Sequence, residues 1–431
     1  MLPFLLLLTT LAGSAAVRPP NVILIISDDH GWADYGFMGN RHARTPYLDK
    51  LAAESLLFTR GYVPASLCRP SLASIMTGLY PHQHRVTGND PPGEARDAAN
   101  RERMVKIYQQ SKTIAGLLGA KGYVSHQSGK WWEGECKCGG FTECMTHGDV
   151  KRGGRHGDEG LKIGRQTMQP IFDFVEHAGD QPFLLWYAPF LPHTPHNPPA
   201  RLLSKYTGLP PAQAKYLAMV EWLDETVGQL MVFLEKKGIA GNTLVAYVAD
   251  NGWVQLEGTR PLHETRAKLS PYDAGLRTPI MVRWPGVITP RRDEATLASS
   301  IDLAPTILRA CGIQPPKEMP GIDLRDRAAL EKRKAIFGGL FVHTSIDLEN
   351  PAANVKYRWM IRDRWKLIEP YLPNARLDML EKIPFTGWSE RAQLYDVLAD
   401  PREEKDLAGE RADLVRNLRR ELDRWWNPAA R

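Results

Sequence analysis

Two short acidic clusters each close an apolar run. Asn21-Val-Ile-Leu-Ile-Ile-Ser27 leads into Asp28-Asp29-His30-Gly31, and Thr243-Leu-Val-Ala-Tyr-Val-Ala249 leads into Asp250-Asn251-Gly252. Adjacent carboxylates at the end of a buried strand are unfavourable unless something cationic binds them. In open α/β sheets, ligands bind in the crevice beyond the carboxyl ends of the strands, so both clusters should face one crevice. There Asp28, Asp29, Asp250 and Asn251 would offer an all-oxygen set suited to Ca2+ or Mg2+. Either pair alone reads equally well as a turn or a helix cap; the two together favour a metal.

Three further positions have chemical potential. Ser66-Leu67-Cys68-Arg69-Pro70-Ser71 precedes Leu72-Ala73-Ser74-Ile75-Met76-Thr77-Gly78. Pro70 suits a first helical turn, with Cys68 or Arg69 at the cap. Free N–H groups and the positive dipole end at such a cap favour an anionic nucleophile or a bound oxyanion; the alternative is a small apolar Cys at a helix start. His193 and His196 lie in Leu191-Pro-His-Thr-Pro-His-Asn-Pro-Pro199, a Pro-stiffened loop just after an apolar strand. A histidine there suits proton transfer near neutral pH. Lys130 and Lys268, taken alone, read as solvated charges.

The elements that must position these residues follow from hydrophobic pattern. Asn21–Ser27, Phe183–Ala188, Thr243–Ala249 and Ile280–Trp284 are short apolar runs of the kind that form buried parallel strands. Thr45-Pro46 opens one helix. A second spans about Ala212 to Lys237, with Tyr216, Met219, Val220, Leu223, Val227, Leu230 and Leu234 at helical spacing and Gly238 closing it. Alternating strands and helices imply an α/β fold with a mostly parallel central sheet covered by helices on both faces. The turn-rich Gln314–Gly321 stretch and the charged segment after it mark a change of composition. Strand-like segments follow at Ala335–Val342, Tyr357–Ile361 and Trp365–Ile368. A last helix carries Leu414, Leu418, Leu422 and Trp425 on one face. The expected organisation is a catalytic domain over 17–325 and a smaller C-terminal α+β subdomain over 326–431.

With 431 residues, 43% of them hydrophobic, the chain can bury a sizeable core. The net charge of +6 is spread along the sequence, which gives a weak preference for anionic substrates and no basic stripe for nucleic acid. Leu2–Leu11 is nearly all apolar and is followed by Gly13-Ser14-Ala15-Ala16. The run falls short of the ~20 residues of a membrane span, so it reads as a secretory signal cleaved near Ala16. The expected location is therefore secreted or periplasmic, and no later segment is apolar enough to span a membrane. Among Cys68, Cys136, Cys138, Cys144 and Cys311, the leading disulfide is Cys138–Cys144. Cys311 reads as a buried structural thiol.

From Asn21 to about Leu407 the sequence resembles the formylglycine-dependent sulfatases of the alkaline phosphatase superfamily. Cys68-Arg69-Pro70-Ser71 is similar to the family's Cys-x-Pro-x-Arg motif, whose Cys is oxidised to formylglycine, the precursor of the nucleophile. Asp28, Asp29, Asp250 and Asn251 match the metal set. Gly129-Lys130-Trp131 resembles the Gly-Lys-Trp-His segment whose Lys contacts sulfate. Pro192-His193-Thr194-Pro195 is similar to the segment whose His protonates the leaving oxygen. Lys268, ahead of Gly275-Leu276-Arg277-Thr278-Pro279, takes the place of a second sulfate-binding Lys. Ile301–Thr306 and Leu394–Val397 with Asp400-Pro401 also look familial, in structural roles.

The resemblance implies an exported sulfuric ester hydrolase with Ca2+, a formylglycine-generating enzyme as maturation partner, and a sulfated small molecule or polysaccharide as substrate. Cys68, Lys130 and His193 would be catalytic; Lys130, His193 and Lys268 would bind substrate; Asp28, Asp29, Cys68, Asp250 and Asn251 would surround the metal. Leu72 stands where the motif has Arg, and Trp132 where the Gly-Lys-Trp-His segment has His. Arg69, His82, His84 and His126 are the candidate stand-ins. Two alternatives stay open: a phosphate or phosphonate ester hydrolase on the same scaffold, and an anion-binding homologue with impaired turnover. Trp131-Trp132 can stack on a sugar ring or pack in the core.

Overall fold

Alternate residues of one strand feed two different cores. In β1 (Asn21–Ser27), Val22, Leu24 and Ile26 point to one face of the sheet, and Ile23 and Ile25 to the other. Every residue of this strand is buried, which is why it reads as a continuous apolar run rather than an alternating one. The computed structural model describes residues 18–93, 97–371, 373 and 389–430. The expected signal segment, 1–16, lies outside the described residues.

The strands of the main sheet are β1, β2 (Leu56–Tyr62), β3 (Val124–Gly129), β4 (Glu143–Cys144), β5 (Phe183–Ala188), β6 (Thr243–Ala249), β7 (Arg277–Arg283), β8 (Arg291–Asp293) and β9 (Ala298–Ser299). Their order is β4-β3-β5-β1-β6-β7-β2-β8, with β9 beside β2. All pairs are parallel except those of β7 with β6 and β2. The fourth apolar run thus forms a strand, but an antiparallel one. A strand buried on both faces looks alike in sequence whichever way it runs. Helix Cys68–Thr77 and helix Leu303–Ala310 supply buried residues to one core, and Pro46–Ala53, Gln169–Ala178 and Pro211–Lys236 to the other.

The second sheet is antiparallel and four-stranded: β10 (Ala335–Phe341), β11 (Val355–Arg362), β12 (Trp365–Pro370) and β13 (Gln393–Asp396). Helix Ala412–Trp425 packs Val415, Leu418 and Leu422 on Met360, Leu367 and Leu394. The opposite side chains, Tyr357, Trp359, Ile361 and Ile368, join the core of the main sheet. Beneath them, buried Lys366 reaches Asp273 and Glu403, each at 2.8 Å.

The disulfide joins Cys136, not Cys138, to Cys144. Cys136–Gly139 forms a tight helical turn, so side chains two residues apart point in different directions. Cys136 is buried facing β4, whereas Cys138 is free and partly exposed. Cys311 is also free and only partly buried. No helix among the described residues is long and apolar enough to cross a membrane.

Candidate active site

Ser27 and Ala249 are in register at the ends of neighbouring parallel strands, so the residues after them leave the sheet side by side. The Asp29 N–H donates to Asp250 Oδ1 (3.1 Å), and Asn251 Nδ2 donates to Asp29 Oδ1 (2.7 Å). Asp29 sits at φ 55°, a left-handed turn that brings its carboxylate back over the strand ends. β3 and β5 run parallel to β1 and end at the same edge, delivering Lys130 and the loop of His193. Gly129, at φ +86°, lets the chain turn where a Cβ would lie 1.9 Å from the carbonyl oxygen of Ala188. β2 points the same way as β6, because β7 is antiparallel to both. Its continuation places Cys68 as the first residue of the Cys68–Thr77 helix, with Leu67, rather than Cys68 or Arg69, at the cap.

Lys130 Nζ donates to Asp28 Oδ1 (2.6 Å) and Asp250 Oδ2 (3.2 Å). Lys268 Nζ donates to Asp29 Oδ1 (2.5 Å) and lies 3.0 Å from Cys68 Sγ. His193 Nε2 is 3.3 Å from Asp29 Oδ2. The sequence-predicted residues Asp28, Asp29, Cys68, Lys130, His193, Asp250, Asn251 and Lys268 therefore meet in one place.

This floor fits a hard cation. Three buried carboxylates face two lysines, and the ligand atoms of Asp28, Asp29, Cys68 and His193 lie within 4.8 Å of one another. Asp28 Oδ2 and Asn251 Oδ1 are buried without a hydrogen-bond partner. Burial, reinforced by Asp28, pushes the Asp250 carboxyl up to about 7. Burial also raises Asp28, against the pull of Lys130. Burial opposes the charge of Lys130, but Asp250 and Asp28 outweigh it and raise the lysine. Burial pushes the Cys68 thiol up to about 11 despite Lys130 and Lys268, so the unmodified side chain is a neutral, weak nucleophile.

His193 is pulled two ways. Burial lowers it to about 3, with Asp29 opposing. Its two partners, the Thr194 carbonyl on Nδ1 (2.7 Å) and the Asp29 carboxylate on Nε2, are both acceptors. That geometry suits the doubly protonated ring a proton donor needs. The loop is braced by Arg165, which the sequence did not single out. It donates to the carbonyls of Phe190 (2.7 Å) and His193 (2.6 Å) and to Asn197 Oδ1 (2.7 Å).

None of the proposed stand-ins reaches the floor. Arg69 makes a buried two-point pair with Glu133. His82 stacks on Trp426, and His84 meets Ser74. His126 stacks on Phe174 beside Glu143. Leu72 packs in the main core. The tryptophans divide: Trp131 packs on Phe141 and Trp186, whereas Trp132 reaches the cleft over the floor.

That cleft holds about 880 Å³. One wall carries Asp90, Trp132, Arg155, His156 and His343; another carries Trp253, Leu262 and His263. His156 lies tilted against Trp132 (5.3 Å between ring centroids), and its Nδ1 is buried without a partner. Arg155 and His156 come from a Gly-rich stretch with no apolar period, so nothing local in the sequence pointed to them.

Residues 20–313 match the sulfatase family model, and residues 263–427 match the C-terminal model of N-sulphoglucosamine sulphohydrolase. N-acetylgalactosamine-6-sulfatase of Rattus norvegicus is 30% identical over 365 residues, covering 75% of this chain and 68% of the relative. Arylsulfatase A of Homo sapiens is 30% identical over 371 residues, covering 75% and 70%. The crystal structure of Ps i-CgsB in complex with k-i-k-neocarrahexaose shares the fold, with a TM-score of 0.74 and 23% identity over 95% of this chain and 93% of that one. Over two thirds of its length and throughout its central sheet, this chain belongs to the sulfatase family, a family of sulfuric ester hydrolases.

Proposed function

We propose that this protein hydrolyses a sulfate ester on a sulfated carbohydrate, with formylglycine made from Cys68 as nucleophile and Ca2+ held by Asp28, Asp29, Asp250 and Asn251. The observation that carries this reading is the meeting of Cys68, two lysines, His193 and three carboxylates at one edge of the sheet. The bound cation would neutralise charge on an ester oxygen and lower the proton affinity of the nucleophile beside it. An aldehyde hydrate at position 68 would replace a thiol that burial keeps protonated.

The chain's own residues do the rest. Lys130 and Lys268 flank the position of Cys68 and clamp a tetrahedral oxyanion, countering charge that grows towards the transition state. His193 gives its proton to the leaving oxygen, held in place by Thr194 and by Arg165 behind the loop. Asp29 orients the imidazole and opposes the burial that lowers its proton affinity, which favours the protonated ring. The catalytic unit would span 17–325, with 326–431 as its C-terminal partner. Export after cleavage near Ala16 agrees with the Cys136–Cys144 disulfide, a bond of oxidising compartments.

A tryptic map of the exported protein should show an aldehyde in the Cys68 peptide, and calcium should co-purify. Matched aryl sulfate and aryl phosphate esters should then be turned over in strong preference for the sulfate. Full sulfatase activity with only thiol at position 68 would exclude this mechanism, and preference for the phosphate would favour a phosphate or phosphonate ester hydrolase. Leu72 supports one other reading, an anion-binding homologue with impaired turnover, because it leaves position 68 without the motif's guanidinium. That reading requires the wild-type protein to bind sulfated ligands and turn none over.

A further inference from the structure

One wall of the cleft carries a guanidinium that the reaction at position 68 does not use. Arg155 turns one edge to Asp90, donating from Nε to Oδ1 (2.9 Å) and from Nη2 to Oδ2 (2.6 Å). Its Cζ lies 4.8 Å from the ring centroid of Trp132. Asp90 is buried and also accepts from buried Arg101, so one carboxylate is shared between two guanidiniums. About a third of the Arg155 side chain (33%) remains exposed, and the residue lines the cleft. Its Nη1 makes no hydrogen bond among the described residues.

A purely structural clamp buries its ion pair, as Arg69 and Glu133 do at 1% and 4% exposure. Arg155 is instead fixed at one edge by a carboxylate and at one face by an indole, leaving another edge free. Such a fork is already oriented for two-point recognition of an oxyanion, so little further ordering is needed on binding. Because Asp90 is divided between two partners, the positive charge of Arg155 is only partly compensated.

We propose that Arg155 determines specificity by binding a second anionic group, a carboxylate or a sulfate, on the saccharide that carries the scissile sulfate. The inference deepens the carbohydrate sulfatase reading and rests on it. Asp90 acts as a positioning residue that aims the guanidinium, and Trp132 supports it from behind.

The test compares the wild type with Arg155→Gln on four saccharides. One has a single sulfate and no other charge, one adds a uronate carboxylate, one is the carboxyl-reduced form of the second, and one has two sulfates. The variant should lose about ten- to hundredfold in kcat/KM, mainly through KM, on the doubly anionic substrates. On the singly charged ones it should stay within about threefold of the wild type. The carboxylate and disulfate arms tell which anion is read. Asp90→Asn should give a smaller loss on the same arms. Equal losses on all four substrates, or no loss on any, would overturn the inference. If the wild type turns over none of them, the sulfatase reading itself has failed. Calorimetric titration of the same saccharides then decides: tighter binding of doubly anionic ligands that vanishes in Arg155→Gln supports the site, and no such preference overturns it.

Discussion

The floor of the cleft and the cluster around Lys366 both bury more carboxylates than lysines, yet they are built differently. At Lys366 every carboxylate oxygen has a charged or hydrogen-bonding partner, Glu403 Oε1 through a 2.8 Å ion pair with Lys366 and no hydrogen bond. Asp273 receives Lys366 on Oδ1 and Tyr62 on Oδ2; Glu403 receives Lys366 and the Asp273 N–H. The lysine is fully enclosed between the C-terminal sheet and the main core. On the floor, Asp28 Oδ2 and Asn251 Oδ1 have none, and the neighbouring groups open onto the cleft. A buried charge cluster satisfied from within is a fastening, whereas one with orphaned oxygens beside a cleft is prepared for a ligand.

The largest expected effect that separates the two is on turnover. Asp250→Ala should reduce sulfate ester hydrolysis on the order of 10³-fold or more, because it removes a cation ligand and a partner of Lys130. With divalent cations chelated, the same variant should unfold in urea close to wild type or later, since it relieves crowding among carboxylates. A large drop in its urea midpoint would merge the two clusters into one class.

Lys366→Met should show the reverse, losing roughly 3–5 kcal/mol of stability by urea titration because two buried carboxylates lose their shared cation. Activity per folded molecule should survive. Chelation comes next. Removing divalent cations should lower the melting temperature, by the equivalent of ~2.7 kcal/mol if the cation had been present at a hundredfold its Kd. Adding Ca2+ back should restore it, and Asp250→Ala should show a much smaller response. An identical response in that variant would place the cation elsewhere.

The smallest effect is one of pH. Burial, with Asp273 adding to it and Lys366 opposing, raises the Glu403 carboxyl from 4.5 to about 7. The folded state therefore keeps this proton longer than the unfolded chain does, so Glu403 contributes a loss of stability as pH rises from about 4.5 to about 7 and none above. Glu403→Gln should flatten that part of the profile relative to wild type. Parallel profiles of urea midpoint against pH for the two proteins would refute the assignment.

The acidic part of the floor and His193 were legible because they follow strands with their own local signature, whereas Lys130 and Lys268 stood out only through the family resemblance. β1, β5 and β6 are runs of apolar residues with the boundaries the sequence suggested. Helix Pro211–Lys236 differs from its expected span by one residue at each end. The wall was not legible. Asp90 and Arg155 are 65 residues apart in chain, and Asp90 and His343 farther still, with no repeating pattern to link them. The small strands β4, β8 and β9 have two or three residues each, too few for any period to register.

By itself, then, the sequence determined that β1, β5 and β6 are buried, where they end, and that acidic residues close two of them and a histidine-bearing loop follows the third. Burial and strand period are local properties, and adjacent parallel strands necessarily bring their ends together. Tertiary structure alone decided the direction of β7, the partner of Cys144, the diversion of Arg69 to Glu133, and the meeting of Arg155 with Asp90 and Trp132. Each depends on which side chains arrive at one point from distant parts of the chain, and that is set by packing rather than by spacing.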